Sequence, residues 1–292
     1  MFRRRSPRHD LRTRPRRYTR GIALATLATT LATTLTAAAA PPVIVAAGDI
    51  ASEGNGDART ARLVRRINPD HVLTLGDNVY ESGTSQQFRD YYHPTWGRFR
   101  AKTWPSPGNH DYGTGQASGY FGYFGSRAPA KNYTFMVGTW RVVSLDTWSN
   151  REAAHTFLRR TLTKDHHGCE LVYWHQPRWS SGEHGSDAHV AAIWRLAVRM
   201  GVDVVLNGHD HDYERFAPLN AFGKPSPNGT REFVVGTGGV GLRGFGQPIR
   251  GTRKQITSLG VLRMQLGASA YFWSFRNLSN RSLDRGSTVC HR

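Results

Sequence analysis

The pair His209 and His211 follows the apolar run Val202-Asp203-Val204-Val205-Leu206 in the stretch Asn207-Gly208-His209-Asp210-His211. Four clusters of similar make-up precede it: Gly48-Asp49, Gly76-Asp77-Asn78-Val79-Tyr80, Gly108-Asn109-His110-Asp111 and Tyr173-Trp174-His175-Gln176-Pro177. Taken singly each is unremarkable, since Gly-Asp is a common turn and a lone histidine is more often a surface or core residue than a ligand. Five in succession, each delivering oxygen or imidazole donors near a short apolar run, point to a two-metal hydrolytic centre. Asp49, Asp77, Asn109, His175, His209 and His211 combine hard carboxylate and amide oxygens with borderline imidazole nitrogens, a mixture suited to iron, zinc or manganese.

Short apolar runs alternate with helix-like stretches from residue 43 onward, the pattern of an α/β domain. Val43–Ala47 reads as a buried strand ending at Gly48-Asp49, and His71–Leu75 as another ending at Gly76-Asp77. Between them, Ala61, Leu63, Val64 and Ile67 give a helix over Asp57–Ile67, stopped by Asn68-Pro69. Further helices are predicted over Gln86–Tyr92, Arg151–Leu162 and Asp187–Met200. Strands are predicted at Tyr133–Val137, Arg141–Leu145, Glu170–Trp174 and Val202–Leu206, with residues 112–131 an ordered loop and 217–230 a polar one. Glu232–Val235, Gly260–Leu266 and Ala270–Phe275 look like antiparallel strands completing a sheet. In a parallel sheet the carboxyl ends of the strands share one crevice, so ligands distant in sequence converge there. A glycine before Asp49, Asp77, Asn109 and His209 permits the tight turn that aims each side chain inward.

At 292 residues and 38% hydrophobic content the chain can bury a sizeable core and still form one domain. Its net charge of +18 is inflated by residues 1–40, which hold nine arginines against the single acid Asp10; the remainder carries +10. That excess attracts anionic substrates but does not call for a specific nucleic-acid partner. The basic start followed by the uncharged run from Gly21 to Ala40 reads as a secretory signal with cleavage near Ala38 to Ala40, leaving residues 41–292 as a single catalytic domain, secreted or otherwise extracytoplasmic. The competing reading is a retained membrane anchor, since the run is long enough to span; its threonines disfavour this, and no stable anchor is expected after cleavage. Arg16-Arg17-Tyr18 leaves both the general and the twin-arginine export routes open. Cys169 and Cys290 suit a disulfide outside the cytoplasm, with two unconnected buried thiols as the alternative. Oligomeric state is not legible.

The order of these motifs resembles the metallophosphoesterase superfamily, the calcineurin-like phosphoesterases, over residues 43 to about 240, and within it most resembles the purple acid phosphatases. Most of the superfamily opens with Asp-x-His, but Ala51 stands two residues after Asp49 here. Purple acid phosphatases also lack that histidine and use a tyrosine three residues after the second aspartate, where this chain has Tyr80. The resemblance implies an α/β fold of metallophosphoesterase type, a four-layer α/β/β/α sandwich of two mixed sheets flanked by helices. It further implies that Asp49, Asp77, Tyr80 and His211 hold a first metal, Fe(III). Asp77 would bridge to a second, Zn, Fe(II) or Mn, held by Asn109, His175 and His209. If Tyr80 is instead an ordinary packing aromatic, the pair is Zn, Mn or mixed and the protein colourless. His110 is implied to face the leaving group, with Asp111 orienting it or serving as a solvated loop acid, and His184 resembles the leaving-group histidines of the plant enzymes.

The implied function is an exported, binuclear metal-dependent phosphatase that hydrolyses phosphate monoesters by attack of a metal-activated hydroxide. A phosphodiesterase or nucleotide hydrolase on the same centre is the alternative, and a non-catalytic surface binding protein a more distant one. His155 and His189 fall in helical stretches, and His166-His167 in a helix-ending loop, none of them expected as ligands. Gly236-Thr237-Gly238-Gly239-Val240-Gly241 lacks the following helix of a dinucleotide fingerprint and is expected as a turn close to the metal site. Trp104, Trp174 and Trp179 flank ligand clusters and are candidates for a cleft wall. Arg215 is placed to pair with Glu214 or to approach substrate.

Overall fold

The computed structural model describes residues 40–163 and 168–291. The predicted signal at residues 1–40 therefore lies almost wholly outside the described residues, as does His166-His167. Among the described residues thirteen strands form two mixed sheets. The first contains β1 (Val43–Ala47), β2 (His71–Leu75), β3 (Thr103–Ser106), β11 (Gly260–Leu266), β12 (Ala270–Asn277) and β13 (Ser282–Val289), in the order β13-β12-β11-β1-β2-β3. The second contains β4 (Tyr133–Val137), β5 (Trp140–Ser144), β6 (Glu170–Tyr173), β7 (Val204–Asn207), β8 (Tyr213–Leu219), β9 (Thr230–Val235) and β10 (Thr252–Ile256), in the order β10-β8-β9-β7-β6-β5-β4. Helices α1 (Gly56–Ile67), α2 (Ser85–Gln87), α3 (Ser118–Phe124), α4 (Arg151–Leu162) and α5 (Ala191–Arg199) join them.

β1 pairs in parallel with β2 and antiparallel with β11. A central strand covered on both faces must be apolar throughout, which is why its sequence reads as a continuous run rather than an alternation. β6 and β7 occupy the same position in the second sheet, parallel to each other and to their outer neighbours β5 and β9. The sheets pack face to face through β12. Tyr213 stacks on Phe275 at 4.2 Å, Trp140 meets Tyr271 edge-on at 5.6 Å, and Phe233 lies 5.7 Å from Trp273. Such offset and edge-on pairs add to the stabilisation from burial alone. On the first sheet, α1 buries Ala61, Leu63 and Val64 and turns its arginines outward. Asn68 in the left-handed region (φ 50°), its N–H on the Val64 carbonyl, ends it. On the second sheet, α4 and α5 bury Leu158, Leu162, Ile193 and Trp194 against Val143, Val172 and Val205. This is the four-layer α/β/β/α arrangement, with helices on the outer faces of two mixed sheets.

Departures from the sequence-based expectation fall where local pattern is weak. Residues 112–131, expected as a loop, contain α3 and short 3₁₀ turns. They are held by aromatic contacts of Phe88 with Tyr123 (4.9 Å) and Phe124 (5.8 Å). The predicted helix at Gln86–Tyr92 is α2 running into a π-helical turn at Phe88–Tyr92, and α5 is preceded by a 3₁₀ turn that Asp187 caps. The strands β3, β8, β10 and β13 lie outside the sequence-based expectation; β3, β10 and β13 are sheet edges, and β8 lies between β10 and β9. An edge strand buries less and tolerates proline and charge, as Pro105 in β3, Arg253 and Lys254 in β10 and Asp284 and Arg285 in β13 illustrate. β8 runs into the expected polar loop, with a register shift between Arg215 and Pro218. Glu232–Val235, expected as an antiparallel strand completing one sheet with Gly260–Leu266 and Ala270–Phe275, is instead β9 of the second sheet, parallel to β7 and antiparallel to β8, while β11 and β12 pair with each other in the first.

Cys169 and Cys290 are joined in a disulfide with a Cα–Cα distance of 5.5 Å, tying the end of β13 to the start of β6. Among the described residues no helix is long and apolar enough to cross a membrane.

Candidate metal centre

The carboxyl ends of β1, β2, β6 and β7 meet at one edge of the sandwich. Asp49 N–H donates to the Gly76 carbonyl (3.1 Å), Gly208 N–H to the His175 carbonyl (3.0 Å), and Gly48 N–H crosses between sheets to the Val235 carbonyl (2.9 Å). These bonds fix the four loop starts relative to one another. Asp49 (φ 59°), Asp77 (φ 48°) and His209 (φ 73°) all adopt left-handed backbone, uncommon for side chains of any kind. The glycine before His209 is required by contact: a Cβ at Gly208 would lie 2.7 Å from Asp49 Oδ2 and 2.9 Å from the Leu75 carbonyl.

Two groups of donors result, sharing one atom. In the first, the Tyr80 hydroxyl lies 2.8 Å from Asp49 Oδ1, 3.1 Å from Asp77 Oδ2 and 3.3 Å from His211 Nε2. In the second, His175 Nε2 is 3.1 Å from the same Asp77 Oδ2 and 3.2 Å from His209 Nδ1. The ligating atoms of Asp77, His175 and His209 all lie within 4.8 Å of one another. Asn109 stands beside them, since the N–H of the next residue, His110, donates to Asp77 Oδ1 (2.8 Å). All seven sequence-predicted ligand residues are thus brought to one place, with Asp77 between the two groups.

Two of the three imidazoles are oriented through the nitrogen that faces away from the site. His175 Nδ1 faces the Leu75 carbonyl at 2.8 Å and His211 Nδ1 the Gly241 carbonyl at 2.7 Å, so both direct Nε2 inward. Asp49 Oδ2 accepts from the His209 N–H (2.8 Å), which leaves Oδ1 toward Tyr80. The segment 236–241 is the expected close turn. Gly238 N–H donates to the Gly48 carbonyl (2.9 Å) and Val240 N–H to the Asp49 carbonyl (3.1 Å).

The electrostatics suit a cation. Burial disfavours charge on His175, yet Asp77 and Asp49 outweigh it and raise its pKa to about 9. Burial, reinforced by His175, pushes His209 down to about 3. Two imidazoles 3.2 Å apart cannot both be protonated, so a proton on one expels it from the other. Asp77 is lowered, the charge of His175 overcoming its burial, and Tyr80 is raised well above 10 by burial and by Asp49 and Asp77. The Asn109 Oδ1 is buried with no hydrogen-bond partner among the described residues. A buried amide oxygen without a donor costs about 1–3 kcal/mol, and a cation would satisfy it. On donor set, shared carboxylate and orphaned oxygen, these seven residues fit two metal ions.

His110 lies at the mouth, its side chain 30% exposed, its ring 4.2 Å from that of Tyr80 and its Nε2 3.9 Å from Asp77 Oδ2. Asp111 does not orient it. That carboxylate is fully buried and accepts from the Asn78 N–H (3.2 Å), Asn78 Nδ2 (3.0 Å) and the Gly108 N–H (2.9 Å), stapling the loop after β2 to the loop after β3. Burial and the charge of Asp77 raise its pKa to about 7. His110 is held instead by Glu81, whose carbonyl lies 2.5 Å from Nδ1 and whose carboxylate lies 3.8 Å away. His184 does reach the site: its ring stacks on His209 at 4.4 Å and 22°, and its N–H donates to Asp210 Oδ1 (2.7 Å).

Other expectations are corrected by the core. Arg215 pairs with neither Glu214 nor the site but grips Asp284 through Nε (2.6 Å) and Nη2 (3.0 Å). Glu214 accepts instead from Ser181 and Thr252. Trp174 is fully buried, Trp104 stacks on Phe135 at 4.1 Å, and Trp179 meets Trp194 edge-on at 6.4 Å, so these side chains pack rather than wall the cleft. Glu81 and Arg243, which sequence reasoning did not select, both sit at the mouth. Glu81 neighbours Tyr80 and was within reach of the motif; Arg243 carries no signal beyond following the glycine-rich turn.

Two mixed sheets whose strand ends gather aspartate, asparagine and histidine around a shared carboxylate define a calcineurin-like phosphoesterase. The model of that family, calcineurin-like phosphoesterase, matches residues 42–213, and the chain belongs to it. It is similar to the purple acid phosphatases in particular. It is 27% identical over 227 residues to tartrate-resistant acid phosphatase type 5 of Oryctolagus cuniculus, an alignment covering 61% of this chain and 70% of that protein. The fold superposes on the purple acid phosphatase PPD1 of yellow lupin (Lupinus luteus) with a TM-score of 0.67 at 19% identity, covering 85% of this chain. The chain spans about half of the lupin protein, 53%. It also superposes on GAP50, the anchor in the inner membrane complex of Plasmodium, with a TM-score of 0.69 at 15% identity, covering 87% of this chain and 90% of that one.

Proposed function

We propose that this chain is an exported phosphatase that hydrolyses phosphate monoesters at a two-metal centre. The observation that carries the proposal is the pair of donor groups meeting at Asp77 Oδ2, with Asn109 Oδ1 left without a partner. Asp49, Asp77, Tyr80 and His211 would hold the first ion, Fe(III), and Asp77, Asn109, His175 and His209 the second, Zn, Fe(II) or Mn. Bound there, two such ions supply a water of lowered pKa and neutralise charge developing on a phosphoryl group. The protein's share is orientation. Leu75 and Gly241 carbonyls fix the ligand imidazoles, and Glu81 turns His110 toward the mouth, where its Nε2 can hydrogen-bond a phosphoryl oxygen or protonate a departing alkoxide. Export is supported by the Cys169–Cys290 disulfide, a bond that persists in oxidising surroundings, and by the basic and apolar composition of residues 1–40.

A fold alone does not fix an activity; the complete set of candidate ligands is what favours catalysis. The test is elemental analysis of the purified protein together with steady-state rates on p-nitrophenyl phosphate and on its bis ester. Two metals per chain, preference for the monoester, and loss of turnover on chelation are expected. Undiminished hydrolysis after thorough chelation would overturn the metal-centred reading, and a large preference for the bis ester would replace it with a diesterase.

A further inference from the structure

Arg243 lies beside the centre, anchored through one of its ligands. Its backbone N–H donates to the His211 carbonyl (3.0 Å), and two residues earlier the Gly241 carbonyl accepts from His211 Nδ1 (2.7 Å). The segment 241–243 is therefore fastened twice to His211, and the base of the Arg243 side chain cannot drift from the mouth without moving a ligand. The side chain, half-buried, reaches His184, where its Nη1 donates to the ring Nε2. A guanidinium has donors only, so His184 Nε2 accepts and that ring carries its proton on Nδ1. The His184 ring in turn stacks on the second-metal ligand His209. Among the described residues Arg243 forms no ion pair with a carboxylate. A full positive charge thus stands at the rim of the centre, spent only on a neutral imidazole.

A phosphate monoester and its diester differ in what that charge can meet. The monoester dianion presents three non-bridging oxygens and two negative charges; the diester presents two oxygens and one charge. Two metal ions and an arginine fork together match the former, the fork taking a pair of oxygens in its planar geometry. We propose that Arg243 is the residue that determines preference for monoesters, exchanging its hydrogen bond to His184 for the phosphoryl oxygens of the dianion. This rests on reading the centre as a two-metal phosphoesterase. It also assigns His184 a second role, as the resting partner that keeps the guanidinium over the site before substrate arrives.

The experiment compares wild type, Arg243→Gln and Arg243→Lys in the full metal-loaded chain, with metal content measured for each. Kinetics use p-nitrophenyl phosphate and its bis ester, and calorimetry uses orthophosphate and dimethyl phosphate. Loss of a charge-assisted hydrogen-bonding fork should lower kcat/KM for the monoester, and orthophosphate affinity, by about 10- to 100-fold. The diester and dimethyl phosphate should change less than about twofold, and Arg243→Lys should recover part of the loss because it restores charge without the fork. Parallel falls for both ligand types, or no change in either, overturn the assignment. If wild type turns over neither ester, the phosphatase reading fails by itself and the orthophosphate-to-dimethyl-phosphate ratio still decides Arg243. Failure of loaded wild type to bind orthophosphate overturns the assignment too.

Discussion

Replacing Tyr80 by phenylalanine separates the two identities open to the first metal. The ring contacts survive the change, since Tyr80 packs on His110 at 4.2 Å and edge-on to His211 at 6.1 Å through carbon atoms. Only the oxygen between Asp49, Asp77 and His211 is lost. That oxygen is 4% exposed as a residue, and burial together with two carboxylates holds its pKa well above 10. Ionising even an ordinary phenol at pH 7 costs about 4 kcal/mol, and burial beside two carboxylates makes it harder still with no ion present. A ferric ion bonded to the phenolate inverts this balance and expels the proton. Because the metal-free state binds that proton and the loaded state does not, protons compete with the ion, and loading strengthens as pH rises. We predict that wild type releases one more proton per filled site than Tyr80→Phe, making its apparent affinity tenfold steeper per pH unit. The variant should also lose a visible charge-transfer band. Titration of metal-free protein in buffers of different ionisation enthalpy counts the protons, and absorption reports the band. Equal proton counts and identical spectra for the two proteins would refute a phenolate ligand and leave Tyr80 as packing beside a zinc or manganese pair.

Three further outcomes are expected. Glu232 is buried and its pKa is raised to about 8, burial outweighing the N–H donors of Trp179 and Arg178. The folded state therefore keeps a proton that the unfolded chain releases near pH 4.5, and stability falls between pH 4.5 and 8 by up to about 1.4 kcal/mol per unit. Glu232→Gln should flatten that fall in urea midpoints taken at pH 5 and 8, and an unchanged slope would count against the burial argument. Gly208→Ala places a methyl 2.7 Å from Asp49 Oδ2 and should reduce bound metal below two per chain while circular dichroism stays native; full occupancy would show that the loop yields. Replacing Cys169 and Cys290 by serine opens a loop with a sequence separation of 121, worth at most about 5 kcal/mol of unfolded-state entropy. A loss under about 1 kcal/mol in denaturant unfolding would show that the closed loop contributes little.

Which parts of this molecule were legible in its sequence follows from what fixes each residue. β1, β2 and β7 are enclosed on both faces, so their composition alone marks them, and the candidate ligands Asp49, Asp77 and His209 stand just beyond such runs, each after a turn-forming glycine. β10 and β13 are edges without a fully buried residue, and nothing local distinguishes Thr252–Ile256 or Ser282–Val289 from a polar loop. Their pairing is decided by partners, β10 by β8 and β13 by β12. The same holds at the site. The convergence of the seven candidate ligands was readable because donor type and strand position are local properties. Asp111 was misread because its neighbour in sequence, His110, is not its neighbour in hydrogen bonding; the carboxylate turns back to Asn78, 33 residues upstream. Arg243 was invisible because its place at the mouth depends on a long-range bond to His211.

The candidate ligands also depart from what folding favours. Asp49, Asp77 and His209 occupy left-handed backbone, each at a cost of order 1–3 kcal/mol, and each lies at a strand end where a glycine would sit without strain. Asn109 Oδ1 adds an unsatisfied buried oxygen, and His175 and His209 press two basic nitrogens together. The Asn68 turn that ends α1 uses the same left-handed backbone on an exposed asparagine, where it serves as an ordinary helix cap. Strain at Asn68 is local and compensated by its own hydrogen bond, whereas at Asp49, Asp77 and His209 three strained residues converge on one point with an excess of lone pairs. Folding alone gives no reason for that coincidence; a pair of cations does, because ligand bonds formed at that point offset strain and desolvation together. The strand ends matter for the same reason: rigid, doubly covered strands such as β1 and β7 can hold a strained terminal residue in place, which a surface loop could not.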